Sequence, residues 1–191
     1  MVDTPNSSGF VKAAADDRDG SADDEPGPSP ICLLIDHAPW RALAGAGRAV
    51  LRAYHACADE IPSISGRDVT ILLSSDAAIT GLNARYRGKA EPTNVLSFPA
   101  AAEPAIEDHP PLGDIIIAYE TVMREAAGEH KPALSHLAHL TVHAILHLAG
   151  FDHDTDRGAE RMENLEREIL ASMDIPDPYS TTSEEQPASV G

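Results

Sequence analysis

The chain has 191 residues, 42% hydrophobic and only 4% aromatic, which suits one domain with an aliphatic core and excludes collagen-like, coiled-coil and wholly disordered chains. Its formal net charge of −17 opposes broad adhesion to nucleic acid or to an anionic membrane, so neither DNA nor a membrane is expected as a partner and any RNA contact must be local. Two cysteines without CxxC spacing, and no apolar run of about 18 residues, exclude a disulfide scaffold and predict a cytoplasmic protein without a membrane span.

The two ends of the chain differ in composition from the middle. Residues 1–30 carry seven acidic and two basic side chains among many Ser, Gly and Pro residues, and the last stretch, PDPYSTTSEEQPASVG, has a similar character. Such segments bury too little apolar surface to offset the entropy lost on ordering. We therefore predict a disordered acidic N-terminal extension over residues 1–30, a folded domain over residues 31–175 and a disordered tail over residues 176–191.

The folded part opens with a strand and a helix. The apolar run ICLLID (31–36) predicts a strand, and large apolar residues at helical spacing predict a helix over residues 39–58. Gly45 and Gly47 interrupt this helix at a cost of about 1 kcal/mol each relative to alanine. We therefore expect its first half to be the less stable half.

A second strand and helix follow in the same order. The run DVTILLSS (68–75) predicts a strand, and Ser75 or Asp76 is expected to cap a helix that ends at Gly88. The apolar side chains of this helix, at helical spacing, are Ile79, Leu82 and Tyr86. The run NVLSF (94–98) then predicts a third strand.

The rest of the folded part is mostly helical. GDIIIAY (113–119) predicts a fourth strand, and a short helix is expected directly after it. Pro132 opens a long helix that Gly150 ends, and Asp156 precedes a last amphipathic helix that extends to Met173. Strands early and helices late predict an α+β fold, a single small mixed four-stranded sheet packed with about five helices, whose strand order the pattern leaves open.

Three of the nine histidines have the spacing of metal ligands. His143 and His147 lie four residues apart, so on a helix both imidazoles can reach one ion. Gly150 permits a left-handed turn, after which the chain can fold back and bring His153 to the same ion. Three histidines leave one tetrahedral position open, which is the pattern of catalytic zinc.

Other polar residues around this motif have roles that the spacing leaves open. His136 and His139 extend the same helical stripe, so either could compete as a ligand, but they are expected to support the ligands rather than to bind the ion. Asp152 and Asp154 flank the third histidine, where they can orient an imidazole or a water, or cap the following helix. Ala144 stands where the H-E-x-x-H motif of metalloproteases has its glutamate, so phosphodiester hydrolysis is favoured over peptide hydrolysis.

A small basic cluster interrupts the acidic background. Arg85, Arg87 and Lys89 lie where a predicted helix ends at Gly88. A guanidinium there can grip a phosphate through two parallel hydrogen bonds and stabilise the charge that develops during phosphodiester cleavage. The alternative interpretation is a solvated helix end without a ligand.

Three blocks of the sequence together resemble the YbeY family of bacterial endoribonucleases. In chain order the blocks are LNARYRGKAEPTNVLSFP (82–99), LGDIIIA (112–118) and HAILHLAGFDH (143–153). The resemblance covers about residues 31–175 and implies an α+β enzyme that cleaves single-stranded RNA in 16S rRNA 3′-end maturation and ribosome quality control. By the motif, it implies one zinc ion per chain held by His143, His147 and His153, with Arg87 and His143 as the catalytic residues.

The same resemblance implies the partners. They would be the 16S rRNA precursor, the small ribosomal subunit and an Era-like GTPase. An alternative is a zinc-stabilised ribosome assembly factor that acts mainly by binding, and a metalloprotease is less favoured. A fourth protein ligand would distinguish the assembly factor from the enzyme, because structural zinc is nearly always closed by four protein groups.

Overall fold

The computed structural model of the protein describes residues 30–101 and 110–180, which form four strands and six α-helices. The strands are β1 (Ile31–Ile35), β2 (Val69–Ser74), β3 (Val95–Pro99) and β4 (Gly113–Ala118). The helices are α1 (Ala38–Ala42), α2 (Ala46–Glu60), α3 (Asp76–Arg87), α4 (Tyr119–Gly128), α5 (Ala133–Leu148) and α6 (Asp156–Ser172). The predicted α+β fold with one mixed four-stranded sheet is confirmed. The predicted acidic extension lies outside the described residues except for its last residue, and so does the part of the predicted tail after residue 180.

The strand order, which the sequence pattern left open, is β1-β2-β4-β3. β1, β2 and β4 run parallel to one another, with Ile31 of β1 opposite Val69 of β2 and Val69 opposite Gly113 of β4. β3 pairs antiparallel with β4 and forms one edge of the sheet, with Val95 opposite Ile117. Within the described residues, β3 is therefore the one strand of the sheet that runs antiparallel to its neighbour.

The two faces of the sheet bury different sets of side chains, because successive residues of a strand point to opposite faces. Ile71 of β2 and Ile117 of β4 belong to the main core, which α2, α5 and α6 complete. Leu96 and Ile116 face the other way and pack against Ile79 of α3 in a smaller apolar cluster. α5 and α3 thus lie on opposite faces of the sheet, and both contact β3.

The helix predicted over residues 39–58 is instead two helices, α1 and α2. Gly45 lies between them with φ of +93°, a left-handed conformation that an L side chain rarely adopts and that ends helical geometry. Trp40 of α1 is buried and donates its indole N–H to the carbonyl of Ser74 at 2.8 Å, so the short helix is fixed to the end of β2. The break falls in the half of the predicted helix that the glycines weaken.

Both ends of α3 lie where the sequence predicts them. Ser75 is the N-cap and accepts a hydrogen bond from the backbone N–H of Ala78 at 3.4 Å, and Gly88 closes the helix at its C-terminus. In the described ranges, no helix is both long and apolar enough to cross a bilayer.

Candidate metal centre

The centre of the site is the C-terminal half of α5, one of the most buried helices of the fold. His143 and His147 lie one turn apart on this helix, and their Nε2 atoms are 3.2 Å apart. Nε2 of His153, from the loop after the helix, lies 3.1 Å from Nε2 of His147. The structure therefore brings the three predicted ligand atoms together at one point, which the spacing of the histidines along the sequence had only suggested.

The turn after α5 explains how the third histidine reaches the other two. Gly150 has φ of +91°, and its N–H donates to the carbonyl of His147 at 3.0 Å. The next N–H, of Phe151, donates to the carbonyl of Leu146 at 3.1 Å, which completes a glycine-based helix end and reverses the chain. His153 then lies on the exposed side of the cluster.

The spacing of the three nitrogens fits a metal ion. Imidazole nitrogens bound to zinc at about 2.0–2.1 Å in a tetrahedral arrangement lie about 3.3 Å apart. The two distances of 3.2 and 3.1 Å to His147 Nε2 match this value. His143, His147 and His153 thus form a histidine-rich site that can bind a metal ion.

The second ring nitrogen of His147 has a hydrogen-bond partner. His147 Nδ1 lies 3.0 Å from the carbonyl oxygen of Phe151, which can only accept, so Nδ1 carries the proton and Nε2 keeps its lone pair for an ion. Burial lowers the pKa of His147, and the neighbouring His143 and His153 lower it further. A neutral imidazole is the form that binds metal.

His143 lies against a residue that the sequence analysis missed. Its Nδ1 lies 3.3 Å from Oε1 of Glu166, a fully buried carboxylate on α6. The other carboxylate oxygen accepts a hydrogen bond from the hydroxyl of Tyr179. Burial alone raises the pKa of Glu166, but His139, His143 and Tyr179 around it hold the pKa at about 2, so the group is ionised. The signal in the sequence is a glutamate on the apolar stripe of α6, four residues after the buried Met162.

The other two histidines of α5 do not join the three ligands. His139 Nε2 lies 3.2 Å from the same Glu166 oxygen and so reaches the site through that carboxylate. His136 is directed elsewhere, because its Nε2 lies 2.9 Å from Oε2 of Glu125 on α4. The latter oxygen also accepts from the amide of Asn94 at 3.0 Å, which ties α4 and α5 to the start of β3.

The acidic residues beside the third histidine serve the loop. Asp152 accepts the backbone N–H of Asp154 at 3.2 Å. The cap of α6 is Thr155, whose hydroxyl accepts from the N–H of Gly158 at 3.0 Å, and Asp156 is the first residue of the helix rather than a residue before it. Within the described residues, no fourth His, Cys, Asp or Glu completes the group of three histidines.

The basic cluster lies at the C-terminal end of α3. Arg87 is its last residue and is exposed, as the pattern predicts. Tyr86 is 59% exposed, although its helical spacing suggested a core position, and the guanidinium of Arg85 lies 5.4 Å from its ring centre. Asn83 anchors the loop that follows, because its amide donates to the carbonyl of Glu91 at 2.8 Å. The structure therefore presents an exposed aromatic ring with the guanidinium of Arg85 beside it.

Comparison with known proteins finds one family model and many sequence relatives of the same name. The family model described as Endoribonuclease YbeY matches residues 43–174. A protein of Nitrobacter hamburgensis named Endoribonuclease YbeY is 51% identical over 153 residues, covering 78% of this chain and 80% of that protein. One of the same name from Azorhizobium caulinodans is 47% identical over 158 residues, covering 81% and 98%. A solution structure of a Thermotoga maritima protein aligns with a TM-score of 0.47 and 23% identity, covering 79% of this chain and 99% of the other.

Proposed function

The chain belongs to the YbeY family of endoribonucleases, and we propose that it is a single-strand-specific, metal-dependent endoribonuclease that matures the 3′ end of 16S rRNA and acts in ribosome quality control. RNA is its substrate and phosphodiester hydrolysis is its reaction. The observation that carries the metal dependence is the convergence of three imidazole Nε2 atoms at distances of 3.1 and 3.2 Å.

The proposed metal is zinc, with one ion per chain held by His143, His147 and His153. Three neutral nitrogen donors at tetrahedral spacing suit zinc, and a three-histidine set leaves room for substrate. When bound, such an ion supplies Lewis-acid stabilisation of the negative charge that develops on the phosphate. The carbonyl of Phe151 orients His147 for this role, and the exposed position of His153 keeps the centre open to an RNA strand.

Arg87 is proposed as the phosphate clamp and, with His143, as a catalytic residue. Its guanidinium can donate two hydrogen bonds to one phosphate, which orients the scissile group and offsets its charge. Tyr86 offers an exposed ring on which an unpaired base can stack, and such stacking favours single-stranded RNA. α3 and α5 pack on opposite faces of the sheet and both contact β3, and we propose that an RNA strand reaching both helices passes this edge.

A ribosome assembly factor with structural zinc is the alternative from a different class. It calls for a fourth protein ligand, for which the sequence offers Asp152, Asp154 and His139, and among the described residues none of these joins the group of three histidines. This arrangement favours the enzyme. As partners we propose the 16S rRNA precursor, the small ribosomal subunit and an Era-like GTPase, all in the cytoplasm.

The test is single-turnover cleavage of a structured RNA that carries the 16S rRNA 3′ end. Wild type, Arg87→Ala and His147→Ala are purified identically, and their metal content is measured on the same samples. We expect both variants to lose at least about 100-fold in rate, because one removes the charge that stabilises the transition state and the other removes a metal ligand.

Arg48→Ala is the matched control, because Arg48 is an exposed arginine on α2, outside the site. It should cleave like wild type. Equal cleavage by all four proteins would identify a contaminating nuclease and contradict the proposal. A wild type that holds one zinc ion without cleaving would favour the assembly factor.

A further inference from the structure

The buried carboxylate of Glu166 is the feature of this fold that the proposed chemistry does not yet use. α6 places it against α5, where Oε1 lies 3.3 Å from His143 Nδ1 and 3.2 Å from His139 Nε2. The side chain is fully buried, and burying a charge is costly unless its surroundings compensate for it. A fully buried carboxyl group beside two histidines calls for a reason.

The two ligands on α5 have different partners behind them. His147 has a backbone carbonyl at Nδ1, whereas His143 has a full negative charge there. A carboxylate behind a ligating histidine fixes its tautomer and ring orientation and raises the basicity of the nitrogen that binds the ion. His143 is therefore the ligand whose donor strength this fold can set most strongly.

The contacts of the carboxylate are unequal. Oε2 accepts the hydroxyl of Tyr179, but Oε1 has no well-aligned hydrogen bond to a described residue, although both imidazole nitrogens are within 3.3 Å. This oxygen carries negative charge and lacks an aligned donor. An ion that fixes His143 through Nε2 also fixes the direction of its Nδ1–H, and a carboxylate at this distance can receive it.

We propose that Glu166 is a positioning residue of the metal centre. It holds His143 with Nε2 towards the ion, increases the affinity of the site for the ion through its charge, and is itself held by Tyr179. His139 Nε2 lies against the same oxygen. This inference rests on the proposed metal site. It adds Glu166 of α6 and Tyr179, from the chain after α6, to the residues that support the ligands.

The experiment measures Zn²⁺ affinity of the metal-free full chain by competition with a chromophoric chelator. Glu166→Gln keeps the shape of the side chain and removes the charge. We expect it to weaken Zn²⁺ binding by about 10–100-fold, the usual effect of removing such a partner. Glu163→Gln is the matched control, since Glu163 is on the same helix but pairs with Arg167. It should bind Zn²⁺ like wild type.

Two further measurements separate positioning from a structural role. Urea unfolding of the metal-free proteins reports the contribution of Glu166 to the fold alone, and a purely structural role would lower that stability without changing the Zn²⁺ affinity of the folded chain. The visible absorption of Co²⁺-substituted protein reports the ligand field, and we expect its bands to shift in Glu166→Gln and not in Glu163→Gln.

The outcomes are distinct. Wild-type Zn²⁺ affinity in Glu166→Gln overturns this proposal and leaves the proposed metal site standing, whereas a wild type that binds no Zn²⁺ overturns both. If metal-free Glu166→Gln does not fold, Tyr179→Phe decides: it should bind Zn²⁺ more weakly, and unchanged affinity overturns the proposal. Two ions per wild-type chain, one of them lost in His139→Ala, would make the cluster a second metal site and overturn the positioning role.

Discussion

Asp76 and Glu120 cap each other's helices. The backbone N–H of Asp76, at the start of α3, donates to Glu120 Oε2 at 2.8 Å, and the carboxylate of Asp76 accepts the N–H of Thr121, at the start of α4, at 3.0 Å. Both carboxylates thus satisfy N–H groups that have no partner inside their helices, and both place negative charge at a helix N-terminus. The pair fixes the two helices that begin at the ends of β2 and β4.

Replacing Glu120 by glutamine should lower stability in a pH-dependent way. Burial of Glu120 opposes the shift, but the hydrogen bonds it accepts and His37 lower its pKa below the ordinary 4.5. A lowered pKa in the folded state stabilises the fold above the unfolded-state value, and this contribution is lost as the pH falls through the folded-state value. We expect Glu120→Gln to cost about 0.5–1 kcal/mol at pH 7.

Urea unfolding of both proteins from pH 7 to pH 3 measures this cost. The difference should shrink below about pH 4.5 as the wild-type carboxylate becomes protonated. Glu160→Gln, a change at an exposed carboxylate of α6, is the control and should show little cost. A difference that is constant across the range would contradict the electrostatic origin.

Adding Zn²⁺ should stabilise the wild-type fold. Free Zn²⁺ at about 100 times its Kd raises the free energy of unfolding by about 2.7 kcal/mol, if the unfolded chain does not bind it. His147→Ala should abolish the increase, because it removes the nitrogen that lies within 3.2 Å of both other ligands. Unfolding followed with and without Zn²⁺ gives the result, with His55→Ala, an exposed histidine on α2, as the control that keeps the increase. An equal increase in His147→Ala would place the bound zinc elsewhere.

Removing the ring of Tyr86 should weaken RNA binding. Stacking of a base on an aromatic side chain contributes about 1–3 kcal/mol, so Tyr86→Ala should raise the Kd for single-stranded RNA by about 5–150-fold. Tyr86→Phe keeps the ring and should bind like wild type. Fluorescence anisotropy with a labelled oligoribonucleotide measures both, and equal binding by Tyr86→Ala would exclude a stacking role.

Asn83 should matter for the loop that carries Lys89. Its side chain donates to the carbonyl of Glu91, and its own carbonyl accepts the N–H of Lys89 at 3.3 Å. Asn83→Ala leaves a partly buried carbonyl without its donor, which costs about 1–3 kcal/mol. Chemical unfolding measures the cost, and faster proteolysis at Lys89 would show that the loop has loosened. Asn164→Ala, on the exposed face of α6, should cost far less.

Deleting residues 1–28 should leave melting temperature and cleavage rate unchanged. The composition of this segment cannot supply a core, and the proposed site draws all its residues from later in the chain. Thermal unfolding and the single-turnover assay compare the truncated and full chains. A large loss of either would show that the segment contributes to folding or to RNA binding.

Sequence reasoning succeeded where the signal is local. The spacing of His143 and His147 determines that they share a helix face, and the glycine at 150 determines that the helix can end in a reversal, so the cluster could be predicted. Ser75 was a predicted cap for the same reason, since a cap bonds to an N–H three residues away. The break at Gly45 was predicted only in part, because the two glycines show that the helix is weakened there but not that it divides into two helices.

The sequence by itself determined the four strands, every helix except the division at Gly45, and the spacing of the three histidines, because each depends on residues within a few positions of one another. Only the tertiary structure decided the strand order and the placement of Glu166 behind His143, 23 positions away. It also left Tyr86 exposed, although its spacing matched the buried face of α3. Which helix packs on which face of the sheet depends on how the side chains of whole elements fit together. The periodicity of one segment shows which of its faces is apolar, but not which other segment covers that face.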